Sequence, residues 1–484
     1  MARLLILGAG IAGHTAALHA RRLLGRQHEV IVVSPNSNWN WIPSNIWVGV
    51  GKMRAEQVVF PLAPLYRRKG ITFHQALATE IHPEGEPGRD RAFVTAVSTH
   101  PDAQGQRLHI EYDYLINCTG PKLNFDATPG LGPDGNSLSV CTAAHAAETS
   151  QVFARALERL RRGERMTFVI GTGHGTCTCE GAAFEYTFNV DHALREAGVR
   201  HRAKIVYLTN EAELGDFGVG GLVFTQQGYQ TTSKLWTESL FRERDIHAVL
   251  GAHCTAVEPG RVRYEQLDGS THELEFDFAM LLPPFRGADM RAYDYQGQDI
   301  SDVLFNPAGF LKVDANYSAG AYENWSASDW PETYQNPTYP NIYAAGIAFA
   351  PPHQISKPRT SPNGTVITPA PPRTGMPSGI IAKAVVMSIV DQIRGLHAGP
   401  HRAPMTKMGA ACIASAGAGM VNGSAASMTM NPVVPDPSAF PETGRDIKGT
   451  SGEIGLAGHW MKYALHQLFL YKAKARPLWW LIPE

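Results

Sequence analysis

Cysteine thiols are the most reactive groups in this 484-residue chain, and two of them lie where a thiol is readily activated. Cys177 and Cys179 follow a glycine-rich turn and stand at the start of a predicted helix. A helix N-terminus lowers the pKa of a thiol and favours the nucleophilic thiolate, so both residues are candidates for redox chemistry. A buried cysteine is more often an inert apolar side chain, and Cys118 and Cys254 are interpreted in that way. Six cysteines in a chain of this length exclude a disulfide framework of the small secreted kind.

The composition is that of a globular protein. Hydrophobic residues make up 44% of the chain and charged residues 18%, and the formal net charge is −1. Binding to nucleic acid needs a strong basic excess, so that class of function is excluded. We predict no metal site, no targeting signal at the N-terminus and, without about 18 uninterrupted apolar residues, no spanning helix.

A glycine-rich turn near the N-terminus predicts a dinucleotide-binding unit. Gly8, Gly10 and Gly13 separate an apolar strand from a helix that extends to about Leu24. Such glycines permit a tight turn, a close approach of the backbone to pyrophosphate and close packing of helix on strand, and the helix N-terminus faces the phosphates. The second strand ends in Ser34, where an acidic ribose ligand is usual, and a serine hydroxyl forms a weaker hydrogen bond there.

Two short segments favour FAD over NAD as the bound dinucleotide. They are Tyr-Asp-Tyr-Leu-Ile-Asn-Cys-Thr-Gly at 112–120 and Ile-Tyr-Ala-Ala-Gly at 342–346. Both resemble the motifs that close over FAD in glutathione-reductase-like flavoproteins. Cys118 stands where alanine is usual, and Ile347 stands where an aspartate usually binds the flavin chain.

A second strand and glycine turn begin at Met166 and predict a second dinucleotide-fold unit. Gly171 and Gly173 are present, but the third glycine position is Thr176, which disfavours NAD(P)H binding. Glu211, about 40 residues past Gly171, is the candidate ribose acid if NAD does bind.

Six segments together resemble the sulfide:quinone oxidoreductase family. Three contain cysteine: Ser-Val-Cys-Thr at 139–142, Cys-Glu-Gly-Ala-Ala-Phe-Glu-Tyr at 179–186 and Ala-Cys-Ile-Ala at 411–414. The others are Trp-Ile-Pro-Ser-Asn at 41–45, Pro-Pro-Phe-Arg-Gly at 283–287 and Arg-Thr-Gly at 373–375. The match keeps a consistent order from Met1 to about Cys412 and covers residues 316–340 and those after 414 poorly.

The resemblance implies roles for the matched residues. Cys179 and Cys412 match a redox pair that is bridged through sulfur on one face of the isoalloxazine. Cys141 matches a third cysteine, which in some members is linked to FAD and in others handles sulfur. Glu185 matches an acidic position near the active site, and His145 matches a histidine that follows the third cysteine.

Two positions leave alternatives open. Cys177 could take the place of Cys179, although the glutamate and aromatic residues after Cys179 favour Cys179. Asp216 stands where some members have another histidine, so proton handling at that position does not carry over from the family.

The same resemblance implies FAD as the cofactor, sulfide as the electron donor and a quinone as the acceptor. Hydrosulfide would attack the sulfur-bridged pair, and polysulfide or zero-valent sulfur would be released after electrons pass to the quinone. The residues predicted at the cofactor are Gly8, Gly10, Gly13, Ser34, Pro43, Ser44, Asn45, Ala78, Thr119, Gly120, Gly346, Ile347 and Arg373.

The predicted fold class is α/β, with two Rossmann-like dinucleotide-binding domains in tandem and a C-terminal membrane-associating region. We assign residues 1–120 and 281–395 to the FAD-binding domain and 121–280 to the second dinucleotide-fold domain with the redox cysteines. Residues 396–484 form the C-terminal region.

The last segment, residues 456–484, is predicted to lie on a membrane surface. It contains Lys462, Lys472, Lys474 and Arg476 among apolar residues at helical spacing, and a Trp-Trp pair follows. Cations suit anionic lipids and tryptophan suits the headgroup level. Because quinones are lipid-soluble, we expect a peripheral protein of a bacterial-type inner membrane, on a side that the sequence does not indicate, and a homo-oligomer. The alternative is that this helix packs on the protein's own core or on an oligomer interface.

Three other functions compete with sulfide oxidation. A single-subunit NADH:quinone oxidoreductase would keep an intact second glycine motif, which Thr176 interrupts. A flavocytochrome-type sulfide dehydrogenase would have a flavin-linking cysteine in the stretch 34–50, where this chain has none. A protein of another class would bind flavin without turnover, as a redox scaffold.

Overall fold

The computed structural model describes residues 1–178, 180–226, 228–318, 320, 322–372, 375–396, 399–417 and 421–484. Cys179 and Arg373, two of the predicted site residues, lie outside this part of the chain. The α-helices within the described residues are α1 (Ile11–Leu24), α2 (Asn45–Gly49), α3 (Leu62–Lys69), α4 (Ala143–Arg161), α5 (Glu180–Glu196), α6 (Ser233–Glu243), α7 (Ser301–Leu304), α8 (Gly375–Ile393) and α9 (Leu456–Ala473).

The strands belong mainly to four sheets. In chain order they are β1 (Arg3–Leu7), β2 (Glu29–Ser34), β3 (Asn38–Asn40), β4 (Val59–Pro61), β5 (Thr72–His82), β6 (Phe93–Ser98), β7 (Arg107–Glu111), β8 (Tyr114–Asn117), β9 (Lys122–Leu123), β10 (Met166–Thr172), β11 (Ala203–Leu208), β12 (Val223–Gln226), β13 (Tyr229–Thr232), β14 (Ile246–Val249), β15 (Ala252–Glu258), β16 (Arg261–Gln266), β17 (Thr271–Glu275), β18 (Phe278–Leu282), β19 (Phe285–Arg286), β20 (Arg291–Ala292), β21 (Ile342–Ala344), β22 (Ala410–Ala416), β23 (Ser424–Met430) and β24 (Ser451–Gly455).

The first sheet has the order β21-β8-β1-β2-β5-β6-β7, and β20 pairs with β5 beside this path. Its strands from β21 to β5 run parallel, so their carboxyl ends lie at one edge. The apolar run of β1 is buried from Leu4 to Leu7 because helices cover a parallel sheet on its faces. The predicted strand 3–7 and the helix ending at Leu24 are confirmed.

The second sheet is parallel and has the order β14-β11-β10-β18. Helix α5 follows β10 and packs on it, which is the second strand–turn–helix unit that the sequence predicts. An antiparallel sheet, β15-β16-β17, lies between β14 and β18 in the chain. The predicted α/β fold with two dinucleotide-type sheets is therefore confirmed.

A third large sheet, β13-β12-β24-β23-β22, has no counterpart in the sequence-based prediction. The stretch 408–430 is rich in alanine, glycine, serine and methionine and shows no informative apolar periodicity, yet it contains the antiparallel strands β22 and β23. Cys412 lies on β22, opposite Met428. This sheet packs on α5 and α9, and it therefore carries Cys412 to the second dinucleotide unit.

Two elements of the C-terminal half differ from what the sequence predicts. The Tyr, Trp, Asn, Ser and Pro residues of 316–340 predict a long surface excursion, but Trp330, Tyr334 and Asn336 are buried. The sequence predicts a helix from Ile380 to Arg394, whereas α8 starts at Gly375 and packs along α1.

Helix α8 also bears on the prediction that no helix spans a membrane. Among the described residues it is the single helix that is long and apolar enough to do so by length and composition. Its most apolar window is 56% buried within the protein, as expected of a core helix.

Candidate functional site

The first glycine turn is tightly packed at Gly8 and Gly13 but has free space beside Gly10. A Cβ added at Gly8 would lie 2.2 Å from the Cys118 carbonyl oxygen, and one at Gly13 would lie 2.0 Å from the Gly8 carbonyl oxygen. Both glycines are therefore required for strand and helix to approach. A Cβ at Gly10 would meet nothing within 4 Å. The free space at Gly10, beside the N-terminus of α1, fits the pyrophosphate of a dinucleotide.

Other predicted cofactor residues lie at the same sheet edge. Ser34 ends β2, and Thr119 and Gly120 follow β8. The Thr119 hydroxyl donates to Asn117 Oδ1 at 2.8 Å, and Gly120 adopts a φ of +68° that favours glycine. Ala78 lies on β5, three residues after Gln75, and Gln75 pairs with Ser34 of β2.

Gly346 and Ile347 follow β21, which pairs in parallel with β8 and thus brings both residues to this edge. Gly346 has a φ of +71°, and a Cβ added there would lie 2.6 Å from Ala12 Cβ in α1. A side chain at this position would push against the first turn of α1. The residues present at this edge therefore fit a dinucleotide cofactor.

The segment that contains Pro43, Ser44 and Asn45 connects this sheet to the C-terminal helix. The Ser44 hydroxyl lies 2.8 Å from His466 Nδ1 of α9, and Ser44 has no exposed surface. The Asn45 amide donates to the Val140 carbonyl at 3.2 Å. Asn45 thereby positions the residue before Cys141.

Cys412 lies against the first turn of α5. A Cβ added at Gly181 would be 3.1 Å from Cys412 Sγ, so the missing side chain at this helix position makes room for the thiol. Cys179 directly precedes the first residue of α5, Glu180, in the sequence. Cys412 therefore lies beside α5, the helix that begins directly after Cys179, its predicted partner.

Cys141 directly precedes the N-cap of α4. Its backbone N–H donates to Ser139 Oγ at 3.1 Å, and the Thr142 hydroxyl accepts from the His145 N–H at 3.1 Å. His145 Nδ1 is buried and has no hydrogen-bond partner among the described residues. Burial lowers the pKa of His145, whereas Glu148 opposes that shift.

A buried ion pair joins α5, β22 and α9. Lys462 Nζ lies 2.6 and 2.7 Å from the two carboxylate oxygens of Glu185, and it also donates to the Ile413 carbonyl at 3.2 Å. Glu185 accepts in addition from the Ser415 hydroxyl at 2.5 Å and from the Ser415 N–H at 3.1 Å. The ammonium is 5.8 Å from the ring of Trp47, whose indole N–H donates to Ser415 Oγ at 3.0 Å. Because Ile413 and Ser415 follow Cys412 on β22, this network fixes the strand that holds the thiol.

The second glycine turn is filled by the protein's own chain. A Cβ at Gly173 would lie 2.4 Å from Leu131 Cδ1, and one at Gly175 would lie 2.4 Å from the Val366 carbonyl oxygen. The Thr368 N–H donates to the Gly175 carbonyl at 2.8 Å, and the Ala370 N–H donates to the Cys177 carbonyl at 2.9 Å. Residues 366–370 therefore occupy the space at this turn where a second dinucleotide would bind. The candidate ribose acid, Glu211, has no exposed surface.

Burial determines the acidity of the described thiols. It raises the pKa of Cys412 to about 11, with Glu185 adding to the shift and Lys462 opposing it. It raises the pKa of Cys141 to about 11 and that of Cys254 to about 12. The expectation of an activated thiol at Cys177 is wrong, because burial and then the charge of Glu180 raise the pKa of this thiol well above its ordinary value.

The C-terminal helix departs from the predicted arrangement of its cations. Lys462 and Lys472 do not face the surface: Lys462 pairs with Glu185, and Lys472 Nζ lies 2.6 Å from Glu484. Sequence reasoning missed Lys462 and Ser415 as site residues, since their partner Glu185 is more than 200 residues away in the chain. The one sequence signal for this buried ion pair was the set of lysines within an apolar helix.

Among the described residues, no group of three or more His, Cys, Asp or Glu side chains could hold a metal ion.

Comparisons with known proteins agree with this geometry. The family model described as pyridine nucleotide-disulphide oxidoreductase matches residues 2–317. The sulfide-quinone reductase of Aquifex aeolicus is 31% identical over 470 residues, which are 97% of this chain and 90% of that protein.

Solved structures show the same likeness. The X-ray structure of the sulfide:quinone oxidoreductase from Aquifex aeolicus aligns with a TM-score of 0.74 and 28% identity, and the match covers 98% of this chain and 92% of that chain. NDH2 of Plasmodium falciparum aligns with a TM-score of 0.60 and 13% identity, with 96% of this chain and 98% of that chain covered. At that identity the second likeness shows a shared fold alone.

Proposed function

The chain belongs to the sulfide-quinone reductase family of pyridine nucleotide-disulphide oxidoreductases, and we propose from this premise that it is a flavoprotein that oxidises sulfide and reduces a quinone. The observation that carries the proposal is the position of Cys412 against α5, in a unit whose nucleotide turn is closed by residues 366–370. This arrangement favours a thiol-based electron donor site over an NADH site. When bound, the flavin accepts an electron pair from sulfur and passes it to the quinone.

We assign the redox pair to Cys179 and Cys412. The assignment is supported by the closeness of the Cys412 thiol to Gly181, which follows Cys179 by two residues in the sequence. Hydrosulfide attack on a sulfur-bridged pair breaks one sulfur–sulfur bond and releases a cysteine thiolate. Glu185 and Lys462 hold β22 in place during these steps through the bonds to Ser415 and to the Ile413 carbonyl.

Cys141 and His145 complete the proposed site. Cys141 is half-buried and free, as required of a residue that is linked covalently to FAD or that handles sulfur. His145 is half-buried, and its Nδ1 has no hydrogen-bond partner in the described part of the chain, so it is a candidate proton carrier one helical turn away. Both roles come from the family resemblance, and the described positions are compatible with them.

The cofactor is assigned to the carboxyl edge of the first sheet. Gly8, Gly10 and Gly13 would hold the phosphates, and Ser34 would bind the ribose. The remaining residues proposed to line FAD are Pro43, Ser44, Asn45, Ala78, Thr119, Gly120, Gly346, Ile347 and Arg373.

We also propose three domains. Residues 1–120 together with 281–395 form the FAD-binding domain, residues 121–280 form the second dinucleotide-fold domain, and residues 396–484 form the C-terminal region.

Membrane association through residues 456–484 is supported by the inverted amphipathicity of α9. Its buried side carries His459, Lys462 and His466, whereas Trp460 and Met461 are 51% and 47% exposed. A water-facing helix normally has the opposite arrangement, so the exposed apolar side suits a lipid surface. Further exposed apolar side chains on or near this helix are Leu468, Leu478 and Leu481. We propose that this surface docks a homo-oligomer on a bacterial-type inner membrane, where the quinone dissolves.

The redox proposal is tested with Cys412→Ser. Anaerobic sulfide should reduce the flavin of the wild-type protein and leave the flavin of the variant oxidised. Cys254→Ser is the matched control, because Cys254 is a buried free thiol in the separate sheet β15-β16-β17. Reduction of both variants at the wild-type rate would refute the assignment of Cys412.

The membrane proposal is tested with the double variant Trp460→Glu and Met461→Glu. Two carboxylates on the exposed side should abolish co-sedimentation with anionic vesicles, while sulfide should still reduce the flavin. Leu235→Glu, at an exposed leucine on α6, is the control and should sediment like the wild type. Vesicle binding by the double variant would remove α9 as the docking element.

A further inference from the structure

A carboxyl group is completely buried at the first turn of α5. Glu180 has no exposed surface, and neither of its carboxylate oxygens has a hydrogen-bond partner among the described residues. Burial and then the charge of Glu211 raise the pKa of Glu180 well above its ordinary value, and the nearby Asn210 side chain opposes this shift. The Asn210 amide itself donates to the Gly175 and Cys177 carbonyls, at 3.1 Å each. An ionised carboxylate in such surroundings is costly, so this side chain favours its protonated form.

Glu180 is one of three carboxyl groups that lie close enough to raise one another's pKa, the others being Glu211 and Asp216. Glu211 has no exposed surface and accepts from the Thr209 hydroxyl and the Phe217 N–H, at 2.9 Å each. The Tyr207 hydroxyl lies 3.2 Å from the Glu180 carbonyl oxygen and 3.5 Å from Glu211 Oε2, and it connects the two residues. Burial raises the pKa of Glu211 to about 7, and Asp216 adds to the shift. Two adjacent buried carboxyls cannot both ionise at low cost, so the group retains a proton near neutral pH.

Asp216 connects this group to solvent. It is half-buried, and its Oδ1 accepts from the Ser356 hydroxyl and from the Gly218 N–H at 3.0 Å. A Cβ added at Gly218 would lie 3.5 Å from Glu180 Oε2, so the Asp216 loop runs directly beside the buried carboxyl. Asp216 also lines a cavity of about 200 Å³ together with Lys234, Lys357 and Arg359. A polar cavity of this size holds several waters.

We propose that Glu180, Glu211 and Asp216 form a proton-transfer cluster that accepts a proton from sulfide at the redox cysteines and releases it to solvent through this cavity. The inference rests on the proposed sulfide oxidation. One proton moves from dihydrogen sulfide to the ionised carboxyl of the cluster, which leaves hydrosulfide as the nucleophile, and one proton then leaves through Asp216. The other titratable or charged groups packed around the cluster are Cys177, Tyr207, Tyr322, Arg359 and Arg445.

The cluster is tested by infrared titration and by transient kinetics on the FAD-loaded protein. Without sulfide, the wild type should show a protonated carboxyl band that titrates near pH 7, and Glu180→Gln and Glu211→Gln should each change it. Flavin reduction by sulfide should slow by about 100-fold in Glu180→Gln, the lower range for loss of a positioned proton acceptor. The control is Glu196→Gln at the other end of α5, where Glu196 is exposed and bound to Lys52.

The outcomes separate this inference from the proposed function. If sulfide does not reduce the wild-type flavin at all, sulfide oxidation itself is refuted. If the wild type is reduced and Glu180→Gln matches both it and Glu196→Gln in rate and infrared band, the cluster is refuted. Asp216→Asn replaces a half-buried side chain and tests the same route should a buried variant fail to fold. It should slow proton release to a pH indicator, and release at the wild-type rate would also overturn the inference.

Discussion

Lys462→Met should destabilise the protein more than any change to its exposed ion pairs. The side chains of Lys462 and Glu185 are 10% and 7% exposed, and the methionine would remove both bonds to the carboxylate. Removing one partner of a buried ion pair costs about 3–5 kcal/mol, because the remaining charge is left uncompensated. Glu185 keeps its two bonds from Ser415, so we expect the lower end, about 3 kcal/mol.

The matched control is an exposed ion pair whose carboxylate, Glu196, lies on α5 as Glu185 does. Lys52 and Glu196 form a pair at 2.5 Å whose side chains are 36% and 40% exposed, and Lys52→Met should cost less than about 1 kcal/mol. A second comparison is the double variant Glu185→Leu and Lys462→Met, which removes both charges. It should regain most of the lost stability, because replacing a buried pair by apolar residues is often nearly neutral.

Urea unfolding followed by tryptophan fluorescence measures these effects, since Trp47 lies beside Lys462. The transition midpoint should fall clearly for Lys462→Met and stay close to the wild-type value for Lys52→Met. Equal midpoints for the two single variants would refute the buried, charge-compensated state of the pair. If the double variant is no more stable than Lys462→Met, the loss of stability does not come from the uncompensated charge of Glu185.

The remaining predictions concern the cofactor turn and the thiol. Gly10→Ala should weaken FAD binding, measured by equilibrium dialysis, with little loss of apoprotein stability, whereas Gly13→Ala should lower the melting temperature because its Cβ would meet the Gly8 carbonyl. Equal melting temperatures for the two variants would contradict this difference. The alkylation rate of Cys412 in the reduced protein should rise about tenfold per pH unit and level off only near pH 11, because its pKa is raised and the thiolate is the nucleophile. A plateau below pH 8, measured by mass spectrometry of the labelled peptide, would mean that Lys462 outweighs burial.

The sequence was sufficient to predict elements whose signal is local. The strands and glycine turns at Gly8 and at Gly171 follow from apolar runs, glycine spacing and helix starts, and the structure confirms both units. The hairpin of β22 and β23 could not be predicted in this way. The alanine and serine residues of its two strands show no clear alternation of apolar and polar residues, and the sequence does not display the packing of these strands on α5 and α9.

Contacts between distant residues limited the prediction of the site. The cations of the last segment suggested a lipid-facing surface, but Lys462 is neutralised by Glu185, which lies 277 residues earlier. The thiol at Cys177 suggested activation by a helix N-terminus, whereas its complete burial reverses the shift in its pKa. In both cases burial, which the sequence does not display, determines the chemistry.

Sulfide oxidation is tested most directly by mixing the anaerobic, oxidised flavoprotein with sulfide, and separately with NADH, in a stopped-flow spectrometer. Sulfide should bleach the flavin band and a soluble quinone should restore it, whereas NADH should have no effect, because residues 366–370 fill the second nucleotide turn. Bleaching by NADH together with no response to sulfide would refute sulfide oxidation and would make the chain an NADH dehydrogenase with this fold.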